Sequence, residues 1–315
     1  MSTSELARPA APEPEPGRGT AETVDTTPLG APAGQPTTYA GAGGPAAFLR
    51  FQRSELRLIF RRRRNLALLG VLSLAPILLG IAVRVSAPSN GDGPAFIGDI
   101  TENGLFLAFT SLVVTLPLFL PLTVSVVAGE SIAGEAATGS LRNLLVVPVG
   151  RTRLLVVKYL GVAAFSVVAA ATVFVVGTVV GLVLFPHGPV TLLSGNVISA
   201  GSAVTRSVLV AGYVAAMLLG LAAIGLFIST LTEVPMGAMA ATAVLVITAQ
   251  IADSVPQIAW LHPYLFTHYW LAFGDLLRQP IATHDIGLGL LSQAAYILIF
   301  GTLAWARFTS KDITS

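Results

Sequence analysis

Six long runs of apolar residues constrain the fold of this chain more than any other feature of its sequence. Each run is close to the length of about 20 residues that a helix needs to cross a membrane. Backbone polar groups inside lipid must be paired within their own segment, so such runs predict α-helices. The six predicted spans are Leu66–Val83, Leu105–Val127, Tyr159–Phe185, Val208–Ile228, Met236–Ile251 and Ile286–Ala306.

The overall composition agrees with a lipid environment for most of the chain. Hydrophobic residues make up 54% of the 315 residues and charged residues 11%, whereas soluble domains contain about 25% charged residues. The absence of cysteine excludes disulfides and cysteine-based metal or redox chemistry. The formal net charge is +2, and the basic residues concentrate in a few short segments, which does not indicate binding to nucleic acid.

The distribution of arginine and lysine predicts the orientation of the spans. Four arginines, Arg61–Arg64, precede the first span. Further basic residues follow the second and sixth spans: Arg142, Arg151, Arg153 and Lys158, and then Arg307 and Lys311. The loops on the other side contain one arginine each: Arg84, Arg206 and Arg278. Because basic loops remain in the cytoplasm, the sequence predicts an all-α membrane protein with six transmembrane helices and both termini cytoplasmic.

The region before the first span divides into two parts. Residues 1–45 contain few large apolar side chains, which predicts a disordered cytoplasmic tail. Residues 46–64 predict an interfacial amphipathic helix, followed by the six-span domain at 65–315. The apolar side of the amphipathic helix is formed by Phe48, Leu49, Phe51, Leu56, Leu58, Ile59 and Phe60, and its basic side by Arg50, Arg53, Arg57 and Arg61. The alternative is a basic flank that orients the first span and has no further role.

The sequence contains no motif for catalysis or cofactor binding. It has no G-x-x-x-x-G-K-[ST] loop, no H-E-x-x-H and no G-x-S-x-G, so we expect no enzyme activity and no ATP hydrolysis by this chain alone. The histidines have no acidic partner at metal-ligand spacing, so we predict no metal site: His187, His262, His268 and His284. Carboxylates lie at or near the ends of the predicted spans rather than inside them, which argues against a carrier driven by protons or sodium.

One short stretch between the second and third spans, residues 129–158, has the properties of a segment that another protein grips. Small residues that permit close approach include Ala133, Gly134, Ala136, Ala137, Gly139 and Ser140. Glu130 and Glu135 precede the basic residues, and Pro148 and Gly150 are expected to end the helix before the third span. We call this stretch the coupling segment. The alternative is a loop whose basic residues only orient the spans.

The coupling segment reads G-E-x-x-x-G-E-x-x-x-G-S-L-R-x-L-L-x-x-P-V-x-R-x-x-L-L-x-x-K. This pattern, after an amphipathic helix and two spans and before four more, resembles the permease subunit of type-2 ATP-binding-cassette exporters. The segment Gly225–Leu231 after the fourth span is also similar to that family, and the resemblance covers about residues 46–310. The matching residues of the coupling segment are Glu130, Glu135, Gly139, Leu141, Arg142, Leu144, Leu145, Pro148, Arg151 and Lys158.

The resemblance implies a mechanism and a set of partners. Two permease chains, identical or closely related, would pair with two copies of a separate ATPase subunit that holds ATP and magnesium. The helix after the second span would dock in a groove of the ATPase, so that closure of the ATPase dimer moves the spans. The docking residues would be those of the coupling segment: Glu130, Glu135, Gly139, Leu141, Arg142, Pro148, Arg151 and Lys158.

Two local patterns bear on how the spans pack. Gly177-x-x-x-Gly181 and Gly212-x-x-x-Ala216-x-x-x-Gly220 place small residues on one helix face, which favours close helix packing in lipid. The contact lies either within one chain or between two chains. Pro117 and Pro121 in the second span free backbone carbonyls and favour a kink.

From residues and resemblance together, we expect a multi-pass permease of the cytoplasmic membrane that exports an amphipathic or hydrophobic compound, such as a drug, a peptide antibiotic or a lipid. This substrate class is mainly what the resemblance implies, and the lack of a charged cluster within the spans argues against a polyanion or a metal as substrate. The alternative is a membrane scaffold or signalling protein whose cytoplasmic helix recruits a partner that is not an ATPase.

Overall fold

The computed structural model describes residues 44–86, 103–139, 150–186, 190–191, 197–198 and 200–310. The predicted tail therefore lies outside the described residues, apart from its last two positions. The same holds for residues 140–149 of the coupling segment, which include Leu141, Arg142 and Pro148.

The described residues are almost entirely helical. The helices are α1 (Pro45–Arg61), α2 (Arg63–Ser86), α3 (Leu105–Thr115), α4 (Phe119–Ala137), α5 (Arg151–Leu184), α6 (Ala200–Leu231), α7 (Pro235–Asp253) and α8 (His284–Ser310). Two 3₁₀ helices, Pro256–Tyr264 and Ala272–Leu277, lie between α7 and α8. A two-residue antiparallel pair joins β1 (Val190–Thr191) to β2 (Val197–Ile198).

Several of these helices are long and apolar enough to cross a membrane, as the sequence predicted. In the described parts of the chain, five helices meet this condition alone: α2, α5, α6, α7 and α8. Helices α3 and α4 meet it together as a pair bent by 57°. The structure is thus that of a multi-pass membrane protein with five candidate spans, or six where the bent pair is one span.

The bend between α3 and α4 lies at Pro117, as its position in the second predicted span indicated. Proline has no amide hydrogen to donate and its ring disrupts the preceding helical turn. In a continuous helix the Pro117 carbonyl would accept from the amide of residue 121, but residue 121 is also a proline, so this carbonyl is free and accepts a hydrogen bond from the Gln250 side-chain amide of α7. A neighbouring helix therefore satisfies the backbone group that the bend exposes, which is what lipid requires.

Helix α6 forms the centre of the bundle. In the apolar stretch of this helix that could cross the membrane, 72% of the residues are buried inside the chain. The corresponding share is 11% to 28% in the other four helices that could each form a span alone. Helix α6 packs against α4, α5, α7 and α8, and its Met217, Leu218 and Leu221 are fully buried. The peripheral helices instead expose leucine, valine and isoleucine, which is the surface that contact with lipid tails favours.

Small residues let α5 approach α3 closely. A Cβ atom built on Gly177 would lie 2.8 Å from the Ala108 Cα atom, and one on Gly181 would lie 1.9 Å from the Gly104 carbonyl oxygen. The Gly177–Gly181 face is thus used within the chain. The second predicted face, Gly212–Gly220 of α6, is packed at one end only. Gly220 packs against Gln293 of α8, while Gly212 has no atom within 4 Å of its Cβ position.

The charged segments gather at one end of the bundle, which we call the basic end. Arg64, at the start of α2, contacts Glu130 of α4. Arg151, at the start of α5, donates a hydrogen bond to the Thr309 carbonyl at the end of α8, at 2.7 Å. The segments whose basic residues were predicted to share one side of the membrane therefore lie together.

Candidate functional site

The basic end contains a buried cluster of three charged side chains, which we call the charged triad. Lys158 of α5 lies 2.9 Å from both carboxylate oxygens of Glu55 in α1, and it also forms an ion pair with Glu135 of α4. Lys158 is 4% exposed and Glu55 is 6% exposed. The triad thus joins the amphipathic helix, the end of the bent pair and the start of the longest helix.

Burial makes the charged triad depend on all of its members. Lys158 and Glu55 have lost most of their water and Glu135 part of it, and the attraction and hydrogen bonds between the three groups offset that loss. Removal of one member leaves an uncompensated charge in a low-dielectric site. The triad therefore holds α1, α4 and α5 in one arrangement more strictly than an exposed ion pair would.

A second ionic contact lies one helical turn earlier on α4. Glu130 accepts from Arg62 at 2.8 Å and also pairs with Arg64. These arginines, at the junction of α1 and α2, are about half exposed, so each pair contributes at most about 1 kcal/mol. The contact of Glu130 with these arginines matters for its location, because it connects the junction of α1 and α2 to the helix that leads into the coupling segment.

The Ser229 hydroxyl fixes the same part of α4 from the side of α6. It donates to the Gly129 carbonyl at 2.7 Å and accepts from the amides of Ile132 and Ala133 at 3.1 and 2.9 Å. Gly129 and Ala133 are an i, i+4 pair, so a side chain of one helix bonds both ends of a backbone pair in another. The hydroxyl therefore fastens α6 to the backbone of α4.

The two sequence segments that carry the family resemblance therefore meet in space. Ser229 belongs to the Gly225–Leu231 segment and bonds the first residues of the coupling segment. A Cβ on Gly225 would lie 2.6 Å from the Ala128 Cβ, so glycine is what allows α6 this close to α4.

The coupling segment is not one continuous helix in its described part. Helix α4 ends at Ala137, and Gly139 has a φ of +69°, a left-handed conformation that glycine adopts without a steric penalty. The sequence placed the end of this helix at Pro148 and Gly150, whereas the helix that carries Glu135 ends at Ala137. Arg151 and Lys158 belong to α5, which begins directly after Gly150.

The structure also gives intrachain partners to residues that the sequence assigned to docking. Glu130, Glu135 and Lys158 contact arginine, lysine or glutamate of this chain, and Arg151 bonds the end of α8. Arg142, Leu141 and Pro148 lie outside the described residues, so their role in docking stays a prediction.

Helix α1 uses its faces differently from the simple two-sided prediction. Glu55 and Ile59 face α5, where a Cβ on Gly161 would meet the Ile59 side chain at 2.7 Å. Leu49 and Leu58 are 66% and 58% exposed, so the apolar residues divide between the protein interior and the outer surface. The arginines Arg50, Arg53, Arg57 and Arg61 are exposed, as predicted.

Sequence reasoning missed Glu55 and Ser229. Glu55 is the lone acidic residue of α1, in which every other charged residue is an arginine, and an exception of this kind is the signal that could have indicated a buried partner. Ser229 lies in the family-like segment Gly225–Leu231, but its bond to α4 could not be predicted, because a serine hydroxyl in an apolar helix usually bonds its own backbone.

An apolar groove of about 510 Å³ opens between α5, α6 and α8 near the basic end. Residues of all three helices form its walls: Leu155, Tyr159, Leu226, Leu298, Gly301 and Trp305. The Trp305 indole donates to the Thr152 hydroxyl at 2.9 Å, and both residues line the groove.

Comparison with known proteins places the chain in a family. The search of curated proteins finds no match. A family model matches residues 91–314, a region that includes α3 to α8 and the coupling segment. The chain therefore belongs to the family described as "Protein of unknown function (DUF2705)".

Proposed function

We propose that this chain is the permease subunit of a type-2 ATP-binding-cassette exporter in the cytoplasmic cell membrane. It has six spans, with α3 and α4 as the second, and both termini and the basic end face the cytoplasm. It works with two copies of a separate ATPase and with a second permease chain, and moves an amphipathic or hydrophobic compound outward.

The pattern of the coupling segment is the observation that carries this proposal. Both flanks of residues 140–149 are firmly held: α4 through Glu135 and Ser229, and α5 through Lys158. A partner that displaces this stretch acts on α4 and α5 at once. The charged triad and the Ser229 contacts then transmit the displacement to α1 and to the central helix α6.

A charge reversal at Arg142 tests the docking surface. Arg142→Glu is expected to lower the amount of ATPase that co-purifies with the full chain by at least about ten-fold, because loss of one interfacial charge contact is worth more than 1.4 kcal/mol. Glu135→Lys is a poor test, since it places a second lysine beside Lys158 and disturbs the fold. The measurement is affinity purification from native membranes with quantitative mass spectrometry.

Arg307→Glu is the matched control, because Arg307 is an exposed arginine at the end of α8 and undergoes the same charge change. We expect it to retain the ATPase. Equal ATPase recovery from both variants would place the docking surface elsewhere. Stoichiometric recovery of a partner that is not an ATPase would replace the exporter with the scaffold or signalling protein.

The apolar groove supports the proposed substrate class. Its volume of about 510 Å³ lies within the range of about 300–1,000 Å³ that drug-sized ligands occupy. No lysine, arginine, aspartate or glutamate is among its lining residues, so it favours apolar surface over a polyanion or a metal ion.

Gly301→Phe is expected to block the groove without straining the helix, because no atom lies within 4 Å of the Gly301 Cβ position. Efflux of ethidium, an amphipathic cationic dye, from cells that express the full transporter should fall by about ten-fold. Gly287→Phe is the control, since Gly287 is equally open in the same helix but lies outside the groove. If both variants export the dye like the parent chain, the groove is not on the substrate path.

A further inference from the structure

Three side chains that the proposed function does not use meet at the end of the bundle opposite the basic end. Asp253 ends α7, His262 lies in the first 3₁₀ helix, and His268 lies in the turn that follows it. One ligand atom from each lies within 4.8 Å of the others, and His268 Nδ1 is 2.6 Å from Asp253 Oδ1. We call this group the histidine cluster.

The histidine cluster could not be recognised from the spacing of its residues in the sequence. Its members are separated by turns of 3₁₀ helix rather than by one α-helical turn or a short loop, so no metal-binding motif is visible. The sequence-based statement that these histidines lack an acidic partner is corrected for His262 and His268, because the chain reverses between Val255 and His268 and brings both back to Asp253.

The hydrogen bonds around the cluster suit metal ligation. His262 Nε2 lies 3.1 Å from the Val255 carbonyl oxygen, which can only accept, so this nitrogen carries the hydrogen and Nδ1 keeps a free lone pair. Metal-binding histidines commonly donate their other ring N–H to a backbone carbonyl in this way. The contact fixes both the tautomer and the orientation of the ring.

A cavity of about 180 Å³ adjoins the cluster and is lined by Asp253 and His268. Thr267 and Trp270 also line it, with 5% and 3% exposure. Within the described structure, neither the Thr267 hydroxyl nor the Trp270 indole nitrogen has a hydrogen-bond partner. Buried polar groups without partners are uncommon, and their presence beside the cluster indicates a site built to hold something polar.

We propose that Asp253, His262 and His268 bind one divalent transition-metal ion of the Zn²⁺ class. Two imidazole nitrogens and one carboxylate are a ligand set that zinc accepts, with a water molecule in the remaining position. Imidazole ligands disfavour Ca²⁺ and Mg²⁺, which prefer oxygen. The ion links the end of α7 to the 3₁₀ region before α8, next to the cavity wall formed by Leu116 and Pro117 at the bend.

His262→Ala is the decisive variant, because His262 takes no part in the hydrogen bond between Asp253 and His268. Full-length protein with a histidine-free affinity tag is dialysed against Zn²⁺, and bound metal is measured by elemental analysis. The parent chain is expected to bind one Zn²⁺ saturably, and His262→Ala to bind it at least about ten-fold more weakly. Zn²⁺ should also raise the unfolding temperature of the parent chain and not that of the variant.

His284→Ala is the matched control, since His284 is an exposed histidine at the start of α8, outside the cluster. It should keep the parent's affinity. Asp253→Asn preserves side-chain shape and should also weaken binding. Unchanged Zn²⁺ affinity in His262→Ala, or no saturable binding by the parent chain, would overturn the proposal and leave an aspartate–histidine hydrogen bond.

Discussion

Lys158→Met is expected to lower the free energy of unfolding by about 3–5 kcal/mol, the usual cost of removing one partner from a buried ion pair. The substitution leaves Glu55 and Glu135 buried without the cation that both contact. Methionine is close to lysine in size, so the loss reports on charge rather than on a cavity.

The measurement is equilibrium or thermal unfolding of the purified chain in detergent, with Arg57→Met as the control. Arg57 is an exposed arginine on α1, and its replacement should change stability by less than about 0.5 kcal/mol. Replacing all three triad members with methionine should recover most of the loss, because a buried charge cluster can be exchanged for apolar residues at little cost. Equal stability of Lys158→Met and Arg57→Met would show that the triad is not closed in solution.

Gly181→Ala is expected to destabilise the chain by about 3 kcal/mol, at the upper end of the cost of overpacking. The added Cβ would lie 1.9 Å from the Gly104 carbonyl oxygen. A backbone atom cannot rotate away as a flexible side chain can, so α5 must move away from the start of α3.

Gly212→Ala is the matched comparison, because Gly212 lies inside helix α6 with no atom within 4 Å of its Cβ position. There the substitution should stabilise the chain by about 0.5–1 kcal/mol, since alanine loses less backbone entropy than glycine in a helix. Both variants are measured by the same unfolding assay. Similar changes in stability for the two would mean that α5 and α3 are less closely packed than the structure has them.

Together, the charged triad and the Ser229 contacts explain why the amphipathic helix belongs to the proposed mechanism. If α1 only rested on the membrane, Glu55 would need no buried partner. Its bond to Lys158 makes α1 a structural element of the helices that flank residues 140–149. A movement of the docked segment would therefore shift α1 at the membrane surface as well as the spans.

Much of the fold could be predicted because its determinants are local. Lipid requires every spanning segment to be apolar and internally hydrogen-bonded, so the long apolar runs were visible in the sequence. Pro117 identified the bend for the same reason, since a missing amide acts within one helical turn. The ends of the helices do not coincide with the ends of the apolar runs: α5 begins at Arg151 rather than near Tyr159, because long basic side chains let a helix continue past the apolar run.

The sequence by itself thus determined the helical membrane architecture, the grouping of basic segments at one end and the family-like pattern of the coupling segment. Only the tertiary structure decided that Glu55 and Glu135 share Lys158, that Ser229 bonds α4, and that His262 and His268 return to Asp253. These contacts join residues 9 (Asp253 and His262) to 103 (Glu55 and Lys158) positions apart in the chain. Burial gives such pairs their strength, and burial depends on how the helices pack rather than on any local pattern.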